Sequence, residues 1–243
     1  MKKGLPASLA RAWGVGNRPV KGPKPGLTLP RIVDAAVTVA ASEGVPAVSM
    51  SRIAAELGSA PMSLYRYVTA KDELLALMVD VAFAAPPAKA RPRGWRRALS
   101  GWARAHLAVL RRNPWVLRIP LSGPPMLPNQ MVWFERGIAC FSGTRLGPRE
   151  QLSALLLVNG FVRNEALQAL DLEEAARSGG DATRQGMTSY GSLLRELVDG
   201  KTFPELTRLI DAGVFEGEEA PDAQFQFGLA RILDGIAAAM PAR

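Results

Sequence analysis

One cysteine, one histidine and three tyrosines in 243 residues leave this chain short of the groups from which most catalytic sites are built. With Cys140 alone no intrachain disulfide can form, which fits a reducing compartment. The thiol reads either as a small buried hydrophobe or as a redox-sensitive group. No Cys/His or Ser/His/Asp set has a recognisable context, no glycine loop suits a phosphate and no spacing suits a metal, so neither enzyme chemistry nor a cofactor is expected. Long apolar runs are missing as well. None approaches the ~18 residues needed to span a bilayer, and after Lys2 and Lys3 the sequence is too broken by Gly, Pro, Ser, Arg and Trp for a signal peptide. A cytoplasmic protein without a membrane partner is the expectation. A hydrophobic fraction of 48% excludes a disordered chain, and the length suffices for a small head and a larger body with its own core.

Acidic residues are absent from two stretches, and that absence places the +8 net charge. Residues 1–85 carry ten Lys/Arg against six Asp/Glu, residues 86–130 nine against none, and residues 131–243 eleven against sixteen. The N-terminal half is therefore the half suited to nucleic acid. Residues 1–27 hold Lys2, Lys3, Arg11, Arg18, Lys21 and Lys24, no acid, and the breaker-rich Gly22-Pro-Lys-Pro-Gly26. They read as a flexible basic arm that either follows phosphates and an adjacent minor groove or simply solubilises the chain.

The segment Ser49–Val68 predicts two short helices joined by a glycine turn. Ser49 suits an N-cap, Ile53, Ala54 and Leu57 share one face, and Gly58 follows where a left-handed residue is wanted. Pro61 falls in the first turn of the second helix, with Leu64 and Val68 four residues apart to anchor it. Its other side carries Met62, Ser63, Tyr65, Arg66 and Tyr67, a set of hydroxyls, flat rings and a cation suited to the major groove. Thr69-Ala-Lys-Asp72 has the form of a helix N-terminus, which puts Lys71 beside unpaired backbone N–H groups, in place to hold a phosphate oxygen. A first helix over about Thr28–Ala41, with an Ile32, Val33, Ala36, Val39 and Ala40 stripe ended by Gly44, completes a three-helix head. Ala85-Pro-Pro-Ala-Lys-Ala-Arg-Pro92 then breaks the helical pattern.

Residues 28–81 resemble the N-terminal DNA-binding domain of the TetR family of transcriptional regulators. The resemblance lies in Ile32-Val-Asp-Ala-Ala36, Glu43-Gly44, Ser49–Gly58, Met62-Ser-Leu-Tyr-Arg-Tyr-Val68 and Lys71-Asp-Glu-Leu-Leu75. It implies that Ser63, Tyr65, Tyr67 and Lys71 touch DNA and that Ser49 and Ser51 contact backbone or an outer base. Arg66 stands where many relatives carry an aromatic or another polar residue. The expected DNA-binding set is thus Ser49, Ser51, Pro61, Met62, Ser63, Tyr65, Arg66, Tyr67 and Lys71.

Residues 91–243 read as a helical ligand-binding and dimerisation domain, following the flexible arm (1–27) and the head (28–85). On a helix over about Trp95–Arg112, Trp95, Leu99, Trp102, His106 and Val109 recur on one face and Arg97, Arg104 and Arg111 on the other, either a solvated stripe or an anion-facing one. His106 is either a core residue or a ligand contact. Residues 113–147 look irregular, with aromatics and methionines that line a pocket or fill a core. Trp102, His106, Met131, Trp133, Phe134 and Asn159 are the candidate effector contacts. Helices over about Pro148–Leu170 and Asp222–Ala239 carry long apolar stripes, and those around Leu155 and Ile232 suit a four-helix homodimer interface. Leu172–Gly186 reads as a polar loop and Phe215–Pro221 as an acidic linker. Phe203-Pro204, Phe227-Gly-Leu229 and Leu233-Asp-Gly235 resemble the C-terminal domain of tetracycline-repressor-like members.

An architectural DNA binder explains the charge but not some 150 residues of aromatic-rich body, and a membrane-surface protein explains the arginines but not the helix-turn-helix. The reading that accounts for all of it is an all-α repressor. It binds a palindromic operator on double-stranded DNA as a homodimer and lets go when a small apolar or aromatic effector occupies the body.

Overall fold

The structure is a computed structural model that describes residues 7–13, 26–86, 94–120, 123–177, 186–216 and 222–240. It is all-helical among those residues. Thr28 is extended, its Oγ1 accepts the Arg31 N–H at 3.4 Å, and Pro30 occupies the first turn, so α2 (Leu29–Glu43) starts there, after a short α1 (Ala7–Ala12). Gly44 at φ 85° ends α2 and leads through a 3-10 turn at Val45–Ala47 to α3 (Met50–Glu56). Ser49 Oγ caps α3 by accepting the Arg52 N–H at 3.2 Å. At its other end Gly58 (φ 60°) reverses the chain, with Ser59 N–H donating to Ala54 O at 2.9 Å and Gly58 N–H to Ala55 O at 3.2 Å. Pro61 then opens α4 (Pro61–Leu64) at its first position, and α5 (Lys71–Ala82) closes the head. Ile32, Ala36, Val39, Val48, Ile53, Leu64, Val68, Leu74 and Met78 form the head core.

The start of α5 differs from the expected Thr69/Asp72 box. Ala70 takes the N-cap position, and the Thr69 N–H and hydroxyl both donate to Glu73 Oε2 at 2.8 and 2.6 Å. Glu73 has the extra methylene needed to reach back past the cap, so it replaces Asp72 in that role.

In the body, α6 spans Trp95–Arg112 with Leu99, Trp102, His106, Val109 and Leu110 inward and Arg97, Arg104 and Arg111 exposed. The segment 113–147 is not irregular throughout. After a 3-10 turn at Pro114–Arg118 it forms α7 (Pro128–Ala139), because its prolines stop at Pro128, the first helical position. Gly137 weakens a helix by propensity, yet here a Cβ would lie 2.6 Å from Leu155 Cδ1 and 3.2 Å from Trp102 Cε2, so close packing requires it. α8 (Pro148–Arg177) runs past the expected end near Leu170, since residues 171–177 contain no Gly or Pro and are mostly good helix formers. The rest of the expected polar loop, 178–185, lies outside the described residues, as do 217–221 of the acidic linker.

The chain divides into two compact units, Met1–Arg163 with Ile236–Arg243, and Asn164–Gly235. The second contains α9 (Gly186–Leu197), α10 (Pro204–Asp211) and most of α11 (Ala223–Ala238). Within it, Arg195 pairs with Glu216, Tyr190 meets Phe215 edge-on at 5.6 Å, and Ile210, Phe225, Leu229 and Leu233 are buried.

Candidate nucleic-acid interface and effector region

The head presents most of the expected DNA set on its surface. Met62 is 75% exposed and Tyr65 45% exposed, and Ser49, Ser51, Pro61, Arg66 and Lys71 are exposed too, while Ser63 is half-buried. The recognition helix is short. After Leu64 the chain tightens into a turn in which the Tyr67 and Val68 N–H groups both reach Leu64 O, at 2.9 and 3.0 Å. Tyr67 is half-buried and its hydroxyl donates to Leu27 O at 2.9 Å, which ties the end of the recognition element to the residue before α2. That hydroxyl proton is therefore used inside the protein. Arg52 fixes α3 on α2 by bonding Glu43 at 2.6 Å and is itself held by Glu56 of its own helix at 2.9 Å, and Glu43 is kept below the usual carboxylate range by the Arg52 contact.

Beyond the head, α5 is bonded to α7. Asp80 is buried, and its Oδ1 accepts the Gln130 N–H at 3.0 Å while Oδ2 accepts from Asn129 Nδ2 at 3.0 Å. Burial raises the Asp80 pKa, and the bonds from Gln130 and Asn129 work against that rise. Trp133 Nε1 donates to Phe83 O at 2.9 Å, and Trp102 Nε1 donates to Trp133 O at 3.0 Å. These rings enclose His106, with centroids 5.1 Å from Trp102, 5.2 Å from Phe83 and 5.7 Å from Trp133.

Of the six candidate effector contacts, Trp102, His106 and Trp133 come together as this packed ring cluster. Met131, Phe134 and Asn159 are half-buried. None of the six lines the nearby 490 Å³ cleft, whose walls include Leu9, Glu73, Leu75, Ile119, Leu127 and Arg163. Leu9 belongs to α1, in the stretch expected to be a flexible arm, and Trp13 Nε1 just after it donates to Met126 O at 2.9 Å. An Ala-Ser-Leu-Ala-Arg-Ala-Trp sequence gives that stretch an apolar face its charge count conceals. Cys140 is buried, its thiol donating to Arg136 O at 3.2 Å, and burial pushes its pKa up to about 11, which favours the small-hydrophobe reading.

Comparison with known proteins decides the family. The profile for bacterial regulatory proteins of the tetR family matches residues 32–78, and that for the tetracyclin repressor-like C-terminal domain matches residues 87–240. The chain is 39% identical over 232 residues to the HTH-type transcriptional repressor DrrR1 of Streptomyces coeruleorubidus, covering 94% of this chain and 84% of that protein. It belongs to the TetR family of transcriptional regulators. Two crystal structures of the TetR family protein ActR from Streptomyces coelicolor are also similar. The complex with (S)-DNPA has 26% identity and a TM-score of 0.73, covering 88% of this chain and 98% of ActR. The complex with actinorhodin has 28% identity and a TM-score of 0.71, covering 87% and 97%.

As a TetR-family repressor the chain is a DNA-binding regulator and not an enzyme. Among the described residues no helix is long and apolar enough to cross a membrane. The Asp80 and Phe83 bonds to α7 join the last helix of the head to the TetR body. Asp80, Glu73 and Arg163 are given no role by the sequence alone. The available signal was an ionisable residue inside an otherwise apolar helical stripe, as at Asp80 within Leu74–Val81.

His106 gives a pH prediction. Burial foremost, then the charge of Arg163, lowers its pKa to about 4 from 6.5. A histidine whose folded pKa is depressed contributes fully above the unfolded value, and stability is lost as pH falls from about 6.5 toward 4, by at most about 1.4 kcal/mol per pH unit. Asp80, with its raised pKa, acts in the opposite sense, so the test compares His106→Phe with the parent. Urea unfolding at pH 7, 5.5 and 4.5 should show the parent losing stability faster than the variant. Parallel pH curves would mean that His106 is not held neutral by burial.

Proposed function

We propose that this chain is a cytoplasmic homodimeric repressor. It binds a palindromic operator and releases it when a small apolar, aromatic-containing molecule occupies the body. The observation that carries the reading is the outward presentation of Met62, Tyr65 and Arg66 on and just after the recognition helix, with Lys71 exposed at the start of α5. In a dimer two such helices enter successive major grooves about 34–36 Å apart, Tyr65, Arg66 and Met62 meeting base edges and Lys71 a phosphate. Ser49, Ser51, Pro61 and Ser63 border the same surface, and Tyr67 acts through its bond to Leu27.

Effector control draws support from the complexes of ActR and from His106, whose buried Nδ1 has no hydrogen-bond partner among the described residues and lies amid three aromatic rings. A ligand inserted beside Trp102 and Trp133, with Met131, Phe134 and Asn159 at its margins, would satisfy that nitrogen. It would also disturb the Trp133–Phe83 bond at the end of α5. A ligand shifts such an equilibrium only by its differential affinity for the two states, and about 1–3 kcal/mol of coupling is typical.

Selection of bound duplexes from a random library followed by footprinting tests the reading. One palindromic site should be recovered and protected. Protection spread uniformly along unrelated DNA would replace the repressor with an architectural binder.

A further inference from the structure

The 490 Å³ cleft holds a cation, Arg163, that forms no ion pair with the carboxylates of Asp72 and Glu73 in its walls. Arg163 projects into it from α8, half-buried, and its hydrogen bonds among the described residues are two long ones from Nη2, to Leu117 O at 3.3 Å and Ile119 O at 3.4 Å. Among the described residues Nε and Nη1 make none, and no carboxylate pairs with the guanidinium. Burial lowers the pKa of Arg163, as it does for any cation moved out of water without an anion. The remaining N–H groups form the planar fork that fits a carboxylate in bidentate fashion.

The rest of the cleft suits the body of such a molecule. Leu9, Leu75, Val116, Ile119 and Leu127 supply apolar wall, and the volume falls within the range of about 300–1,000 Å³ common for ligand sites. Glu73 also lines the cleft. Its Oε2 is occupied by Thr69, while Oε1 is buried without a donor among the described residues. One wall therefore needs an acceptor and another needs a hydroxyl or similar donor, because buried polar groups left unpaired are costly.

We propose that this cleft binds a ring-containing hydroxycarboxylic acid, its carboxylate on Arg163 and its hydroxyl donating to Glu73 Oε1. That such an acid acts as an effector from this second site, beside the aromatic cluster, rests additionally on the repressor reading above. The assigned site is separate from the aromatic cluster, though Arg163 is close enough for its charge to act on His106.

The probes are 6-hydroxy-2-naphthoate, 2-naphthoate, its methyl ester and 2-naphthol, titrated by calorimetry into the full-length protein. The hydroxynaphthoate should bind saturably and a few-fold more tightly than 2-naphthoate, and the methyl ester should bind at least tenfold more weakly than its acid. Arg163→Gln should weaken both acids tenfold or more, leave 2-naphthol within twofold, and be partly rescued by Arg163→Lys. The ester comparison uses unaltered protein and so holds even if Arg163→Gln does not fold. Equal affinity for acid and ester, no saturable binding of either acid up to millimolar concentration, or equal weakening of acids and naphthol in the variant would overturn the proposal. Adding each acid to the protein bound to its selected operator separates the two readings. Arg163-dependent binding without operator release keeps the carboxylate site and removes its role as effector site, whereas absence of any specific operator removes the repressor reading alone.

Discussion

Tyr65→Ala is expected to weaken binding to the selected operator by roughly 1–3 kcal/mol while leaving affinity for unrelated duplexes almost unchanged. Tyr65 is the exposed ring that follows the recognition helix, and its neighbour Leu64 is wholly buried, so truncation removes a surface group without opening the head core. Lys71→Ala should behave differently. An exposed lysine at the first position of α5 adds its charge to the N–H groups of that helix end, which suits it to hold a phosphate oxygen. Its loss should weaken every sequence to a similar degree and lower the slope of log affinity against log salt by about 1. Tyr67→Phe serves as the contrast, since it deletes the bond to Leu27 O. It should lower stability by about 0.5–1.5 kcal/mol with little change in sequence preference. Anisotropy titrations on operator and scrambled duplexes between 50 and 200 mM salt measure all three. Undiminished specific binding by folded Tyr65→Ala and Lys71→Ala proteins would remove the recognition surface from this face.

The head was legible because its boundaries are written in local chemistry. Thr28, Ser49, Gly44, Gly58 and Pro61 each do what their side chain or missing side chain allows within a few residues, and the apolar spacing between them leaves one consistent packing. The misses arise where the deciding contact is distant. Gly137 reads as a helix weakener until Leu155 and Trp102 are placed against it, and the α7 region reads as loop while its prolines are counted without regard to where they stop. The 172–177 segment reads as loop by its polar composition, and its high helix propensity carries α8 through it.

The effector region was less legible for a related reason. Periodicity tells which residues face inward but not whether they enclose a space or fill it, and Trp102, His106 and Trp133 lie ring against ring. Tyr67 illustrates the same limit in the head, where an apparently outward hydroxyl is bonded to a carbonyl forty residues away. Arg163 sits one position from buried Val162 on a helix whose turn places it half inside, and only the cleft wall gives that placement its chemical meaning.

Leu156→Glu is expected to convert the repressor to monomers and to lower operator affinity by about two orders of magnitude or more. Sequence periodicity pointed to the helices around Leu155 and Ile232, but Leu155 and Leu229 are each 2% exposed within the chain's own packing, and Ile232 is half-buried. A glutamate at Leu229 would place an unpaired charge in a core and unfold the protein, so it cannot report on association. On α8 the exposed apolar residues are instead Leu152, Leu156 and Leu157, at 40%, 54% and 55%, followed by exposed Gly160, where a Cβ would meet nothing within 4 Å. That is a helix face open to close approach by a second copy, and a carboxylate there would be desolvated only on association. Since the second half-site contact becomes intramolecular only in a dimer, its loss removes an avidity factor of about 10² to 10⁴. Sedimentation at micromolar concentration together with a thermal midpoint near that of the parent provides the check. A dimeric Leu156→Glu protein, or a parent that sediments as a monomer, would move the interface away from α8.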